Sequence, residues 1–273
     1  MPGRVGHAPE TSPWHSDVVR VERSGLTVLK GARHVERPFV DLGAAGPDGD
    51  RVFCLVDLAR GRVLRTVENP VLVRAVASWE AGVLTVSLDG RRCEGAPTPS
   101  GETVKVDYWG RQVALEVLDG PWAAVLSSYV GHEVVLARAP VPGDVVYGAP
   151  VSLVTTSSLD RLSTECGRTV VGERFRATFT LETSGLPAYV EDDWVGRRLR
   201  LGEAEVEVRS ALPRCAVVDL DPVSGHKDLA VLRAIGRYRR APNGSGDVLF
   251  GVDAVVTRAG RVWTGDAVVA EGG

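Results

Sequence analysis

Lysine is scarce in this chain: only Lys30, Lys105 and Lys227 stand among 32 basic residues, and all the others are arginine. Against 35 acidic residues they leave a formal charge of -3, so no global positive field would draw the protein onto nucleic acid or an anionic membrane surface. An arginine-rich inventory favours forked contacts to phosphate or carboxylate, although genomic base composition produces the same bias. Long apolar runs are missing too. No stretch approaches the roughly 20 residues of a membrane helix, and the opening MPGRVGHAPETSPWHSD lacks the apolar core of a secretory signal. A cytoplasmic location is expected. Cysteine is limited to Cys54, Cys93, Cys166 and Cys215, with no CxxC pair, which speaks against a zinc ribbon, an iron–sulfur cluster or a disulfide scaffold. The five histidines form no HExxH, and neither a GxSxG elbow nor a P-loop occurs, so a zinc hydrolase, a serine hydrolase of that type and a P-loop NTPase are not expected.

What is present is an ordinary globular composition. Of 273 residues 44% are hydrophobic and 25% charged, and 31 Gly and 16 Pro are spread along the chain. These values exclude a disordered, collagenous or coiled-coil protein, and the length suits about two domains. Residues 1–15 read as a loose arm. The runs VVRVERSG, RVFCLVDL, RVLRTVE, VLVRAVASWE, VLTVSLDG, TVKVDYWG and QVALEVLDG, each bounded by turn residues, predict a meander of antiparallel strands closing into a barrel-like unit over residues 16–120. From residue 121 to 270 a second β-rich unit with helices is expected. PWAAVLSSYVG has helical spacing ended by Gly131, and SSLDRLSTECG reads as a helix with Ser157 as its N-cap. HKDLAVLRAIGRYRR predicts a helix with Leu229, Leu232, Ile235 and Tyr238 on one face. RATFTLE, RRLRLGEAEVEVRS, CAVVDLD, LFGVDAVV and RVWTGDAVV read as strands. The fold class is therefore mostly β with some α.

Three features could carry chemistry. Cys215 follows Arg214, and a guanidinium beside a thiol favours the thiolate that acts as nucleophile or metal ligand; a small buried hydrophobe is the alternative. Cys54 alternates with valines in a strand, Cys93 sits in a charged turn and Cys166 ends a helix, and all three read as inert. The hydroxyls Thr155, Thr156, Ser157 and Ser158 run from a strand into a helix, whose N-terminus can seat an anion, though helix capping alone also explains them. Lys30 with Arg33, Arg51, and Arg174 with Arg176 lie near turns and are either bidentate anion contacts or solvated charges.

RFRATF, VEDDWVGRRLRLGEAEVEV, PRCAVVDLDPVSG, RYRR, FGVDAVV and GRVWTGD together resemble the MOSC domain, named for the carboxy-terminal domain of molybdenum cofactor sulfurase. VLKGARH, GDRVFCLVD, RVLRTVENPVLV and VDYWGR resemble the β-barrel that precedes it in the amidoxime-reducing component and its bacterial relatives. The resemblance runs from about residue 16 to 270 and implies an N-terminal barrel packed on a β-barrel MOSC domain. It further implies a molybdopterin-type molybdenum cofactor held between the two, with Cys215 as the protein ligand to the metal. Lys30, Arg33, Arg51, Thr156, Ser157, Ser158, Arg174, Arg176, Thr178 and Arg214 would hold the cofactor's phosphate and pterin. The chain departs from the family pattern at Leu29-Lys30-Gly31, at Ala177 and Thr178, at Val218 and Asp219, and at Asp253. Asp219 and Asp253 are candidate catalytic groups, and with Asp192 and Asp193 candidates for proton delivery. The implied activity is reduction of small N-hydroxylated compounds with electrons from a separate flavin reductase or ferredoxin. Two alternatives are a sulfur carrier with a persulfide on Cys215, supplied by a pyridoxal phosphate-dependent cysteine desulfurase, and a non-catalytic cofactor-binding protein.

Overall fold

The computed structural model describes residues 19–271; the expected arm over residues 1–15 lies outside them. The chain is mostly β. The first unit is a closed five-stranded barrel of Thr98–Tyr108, Arg111–Asp119, Val135–Arg138, Phe53–Asp57 and Arg62–Val63, and closure removes the unpaired edges that a short open meander would expose. A three-stranded sheet, Val76–Glu80, Val83–Leu88 and Arg91–Gly95, packs beside it. Cys93 thus lies buried in a strand, not in a turn, because the charges flanking it point outward while its own side chain alternates inward.

The second unit is an eight-stranded sheet in the order Val268–Ala270, Arg198–Leu201, Ala204–Arg214, Val248–Arg258, Val151–Thr155, Phe179–Glu182, Arg20–Leu26, Val35–Arg37. It curls until Ala267 bridges back to Arg20, which nearly closes it as well. Val151–Thr155 and Phe179–Glu182 run parallel, so the chain between them must cross over; helix α2, Thr156–Cys166, makes that crossover.

Strand pairing runs across residue 120, where the change of pattern falls. Helix α1, Trp122–Val130, inserts Trp122 and Leu126 into the same core as Leu29, Phe53 and Leu84, and Val135–Arg138 pairs with Phe53–Asp57 to complete the barrel. At the other end Arg20–Leu26 pairs with Phe179–Glu182 and belongs to the second sheet. A change from strand-like to helical periodicity marks the helix, whereas membership of a unit follows from strand pairing, which local pattern does not carry.

Four local readings also change. Val217 and its neighbours form a 3₁₀ turn, Ala216–Asp219, instead of a strand, and VLVR lies in another, Pro70–Arg74; a short apolar run fits either element. The helix expected over HKDLAVLRAIGRYRR shrinks to α3, Val231–Ile235. Asp219 Oδ1 accepts the backbone N–H of Leu232 at 2.8 Å, which fixes its start, and Val231, Ala234 and Ile235 form its buried face. The N-cap of α2 is Thr155, not Ser157, since Thr155 keeps the extended backbone of the strand (φ -116°, ψ 148°) and helical geometry starts at Thr156. Among the described residues no helix is long and apolar enough to cross a membrane.

Candidate functional site

A cleft of about 300 Å³ opens between the two units. On the barrel side, Leu29 bridges to Phe53 in parallel and the Lys30 N–H donates to the Phe53 carbonyl at 2.7 Å, which pins Lys30 at the rim. Its Nζ donates to the Tyr108 hydroxyl at 2.9 Å and lies 4.7 Å from the centre of that ring. Burial, reinforced by the charges of Arg51 and Arg176, brings the Lys30 ammonium down to about 7, while burial pushes the Tyr108 phenol up to about 12. Arg51 takes a left-handed backbone, φ 48°, donates its N–H to Thr27 at 2.6 Å and pairs with Asp50.

The second unit contributes two adjacent structures. The 3₁₀ turn Gly172–Phe175 ends at Arg176, whose φ of 52° is left-handed. Buried Arg174 forms a bidentate pair with Asp228 at 2.8 and 2.7 Å, and this guanidinium holds the Asp228 carboxyl below its usual range. Arg176 instead donates to the carbonyls of Gly31 and Ala32 and to the Thr27 hydroxyl, stitching the two units together. The second structure is the end of the strand Ala204–Arg214. A register irregularity between Ala211 and Pro213 re-aims the last residues, as bulges beside sites do. Arg214 donates through Nε to Phe250 O at 2.7 Å and through Nη1 to Phe175 O at 3.0 Å, yet its buried Nη2 has no partner among the described residues. The thiol of the next residue, Cys215, is exposed.

Lys30, Arg51, Arg174, Arg176, Arg214 and Cys215 therefore line one cleft. Arg51 and Arg174 have carboxylate partners, whereas Lys30, Arg176 and Arg214 have none within 4.0 Å among the described residues. Burial, then the neighbouring Arg51 charge, draws Arg176 down to about 10, and burial does the same to Arg214. Clustered, desolvated cations without counter-charges favour an anion among them.

Other residues singled out from sequence lie elsewhere. Thr156 Oγ1 accepts from Thr183 N at 2.9 Å, Ser157 N and Oγ are engaged by the Thr183 hydroxyl, and the Thr155 and Ser158 hydroxyls bond to the buried Glu191 carboxylate at 2.7 and 2.8 Å. This helix N-terminus is satisfied by the protein and is absent from the cleft lining. Thr178 exchanges hydrogen bonds with Ser152, a lining residue. Arg33 points to a separate groove and donates to Val223 O at 2.7 Å. Buried Asp219 holds Leu232 N and lies 3.3 Å from Lys227; buried Asp253 accepts from Ala149 N, Ser210 N and Ser210 Oγ. Both carboxylates are committed to the backbone and neither lines the cleft. Asp192 pairs with Arg239 at 2.8 Å, and Asp193 is exposed. Sequence reasoning gave no role to Tyr108, Trp109, Arg65 or Tyr147, which also line the cleft; the only local signal was the aromatic pair at a Gly-ended hairpin turn in VDYWGR.

Residues 138–269 match the MOSC domain. A segment of 96 residues, 34% of this chain, is 32% identical to molybdenum cofactor sulfurase of Caenorhabditis elegans and spans 13% of it. Another of 125 residues, 44% of this chain, is 30% identical to mitochondrial amidoxime reducing component 2 of Homo sapiens and spans 36% of it. The match thus covers about a third or less of either relative's length. Among solved structures, the YUAD protein from Bacillus subtilis aligns over 92% of this chain and 94% of its own at 12% identity and a TM-score of 0.45.

Proposed function

We propose, from the MOSC domain over residues 138–269, that this chain is a molybdenum-cofactor-dependent reductase of small N-hydroxylated compounds. The observation that carries the reading is the convergence of an exposed thiol, Cys215, with three cations that have no carboxylate partner, Lys30, Arg176 and Arg214. The residues fit such a group. Among the described residues no cluster of three or more His, Cys, Asp or Glu could hold a metal by itself, so a metal at Cys215 must bring most of its ligands, as a dithiolene-bound metal does. A soft thiolate suits it, and the unpartnered Nη2 of Arg214 and Nε of Arg174 are donors for a phosphate or pterin oxygen.

When bound, the cofactor supplies a two-electron couple able to remove the oxygen of an N–OH group. The overall change takes R–NHOH, two electrons and two protons to R–NH₂ and water, with the electrons coming from a separate flavin reductase or ferredoxin. Cys215 anchors the metal. Arg51, Arg176 and Arg214 hold the anionic part through charge-assisted hydrogen bonds, and Arg176 keeps both walls of the cleft in register by binding carbonyls of the opposite unit. Lys30, whose ammonium donates to the Tyr108 hydroxyl, adds its positive charge beside the anionic part.

The test is elemental and pterin analysis of protein produced in a host that makes the cofactor, followed by reduction of an amidoxime with a chemical electron donor. Stoichiometric molybdenum and turnover support the reading. Protein free of molybdenum that carries sulfane sulfur on Cys215 would instead make it a sulfur carrier served by a cysteine desulfurase, a role its exposed thiol also suits. Bound pterin without turnover would make it a cofactor-binding protein.

A further inference from the structure

The cleft also holds two aromatic rings outside the set proposed to hold the cofactor. Trp109 and Tyr147 line it together with Cys215, although they are 42% and 51% exposed, and their rings meet edge to face with centroids 6.2 Å apart. Trp109 is the first turn residue of the hairpin joining Thr98–Tyr108 to Arg111–Asp119; its φ is 53° and that of Gly110 is 83°. Two other hairpins repeat this backbone and place Ala81 (φ 50°) and Asp89 (φ 49°) at the equivalent position. That conformation suits Asn, Asp and Gly and costs a bulky residue free energy. A half-exposed ring outside the core has little packing to offset that cost, which is the pattern of strain kept at functional sites.

The surroundings hold the two rings in place. The Arg111 guanidinium donates to the carbonyls of Asp144 and Val146 at 3.3 and 2.9 Å, which ties the hairpin to the loop that carries Tyr147. Arg65 lies 4.7 Å from the centre of the Trp109 ring and is itself held 3.5 Å from Asp107.

We propose that Trp109 and Tyr147 are specificity-determining residues, an aromatic clamp that selects substrates with a flat, uncharged π system. Flatness follows from the rings, since stacking and edge contacts reward planar partners. Neutrality follows from the charges around them. Arg65 already covers one face of Trp109, and its guanidinium repels a second cation at the ring. The inference rests on the reductase reading for the fate of the N–OH group, but recognition of the ring is independent of turnover.

The experiment measures binding of benzamidoxime, acetamidoxime and benzamidinium by calorimetry, with kcat and KM of the molybdenum-loaded enzyme alongside. Benzamidoxime should bind best, benzamidinium should be rejected, and Trp109→Asn should weaken benzamidoxime binding about tenfold, equivalent to about 1.4 kcal/mol. Asn suits the left-handed turn, so the hairpin survives, and Trp109→Tyr should restore most of the affinity. In the loaded enzyme the loss should appear in KM, and the preference for benzamidoxime over acetamidoxime should fall by a similar factor. Unchanged affinity in Trp109→Asn, or benzamidinium bound as tightly as benzamidoxime, would overturn the clamp. Ring binding that depends on Trp109 without reduction of either oxime would leave the clamp standing and overturn the reductase reading.

Discussion

The Lys30 ammonium donates to the Tyr108 hydroxyl at 2.9 Å and has no carboxylate within 4.0 Å among the described residues, so its charge is held in the cleft by a neutral partner. Burial and the charges of Arg51 and Arg176 bring it down to about 7, against about 10.4 for an unfolded lysine. Between these values the unfolded chain binds one proton more than the folded one, so the penalty is full below about pH 7 and stability rises with pH above it. Urea midpoints from pH 6 to 9.5 should show this rise in the cofactor-free protein and its loss in Lys30→Met. An identical slope in both proteins would show that Lys30 is not the titrating group.

An anion entering the cleft should restore the lysine's proton. Pyrophosphate binding at pH 8 should take up a fraction of a proton, read as a dependence of the calorimetric enthalpy on buffer ionisation, and Lys30→Met should remove it. At pH 6, where Lys30 is already charged, uptake should be small.

Cys215 is the exposed thiol, whereas Cys54 is buried and pushed up to about 12. Iodoacetamide should therefore modify Cys215 first and Cys54 only on unfolding, as followed by peptide mass spectrometry. Cys215→Ser should leave the unfolding free energy measured in urea within about 0.5 kcal/mol of the parent, as exposed substitutions do, and should abolish molybdenum-dependent activity. A fully active Cys215→Ser protein would remove the thiolate from the mechanism.

Breaking the bidentate pair of Arg174 with Asp228 strands a buried guanidinium. Asp228→Ala should cost on the order of 3 kcal/mol, measured by denaturant unfolding near neutral pH. Because Arg174 holds the Asp228 carboxyl below its ordinary 3.8, its stabilisation is complete above that value and is lost as pH falls through the lowered one. The gap between parent and variant should accordingly narrow in acid.

Gly251 has φ 71°, and a Cβ there would lie 2.4 Å from Leu153 O, 2.9 Å from Val154 Cγ1 and 3.1 Å from Arg214 Nη2. Gly251→Ala should cost about 1 kcal/mol for the left-handed backbone alone, with further loss from the clash. It should also displace Arg214 and lower molybdenum retention without touching Cys215. Unchanged metal content in a folded Gly251→Ala protein would remove Arg214 from the cofactor-holding set.

Much was legible in the sequence by itself. Strand periodicity, turn residues and the Gly131 stop are short-range properties, so the predominance of β structure, the hairpins and helix α1 could be read from local pattern. The Arg214-Cys215 pair could be singled out because its chemistry is adjacent in the chain. Tertiary structure decided which separated groups meet. Arg174 and Arg176 look alike two residues apart, yet a 3₁₀ turn ending in a left-handed residue sends one guanidinium to Asp228 and the other to the carbonyls of Gly31 and Ala32. The hydroxyls from Thr155 to Ser158 suggested an anion seat, but Thr183 and Glu191, brought in by the parallel pairing of Val151–Thr155 with Phe179–Glu182 and the turn beyond, consume them. Sheet membership has the same cause: a strand joins whichever sheet supplies its backbone partners, and for Arg20–Leu26 that choice depends on residues more than a hundred positions away.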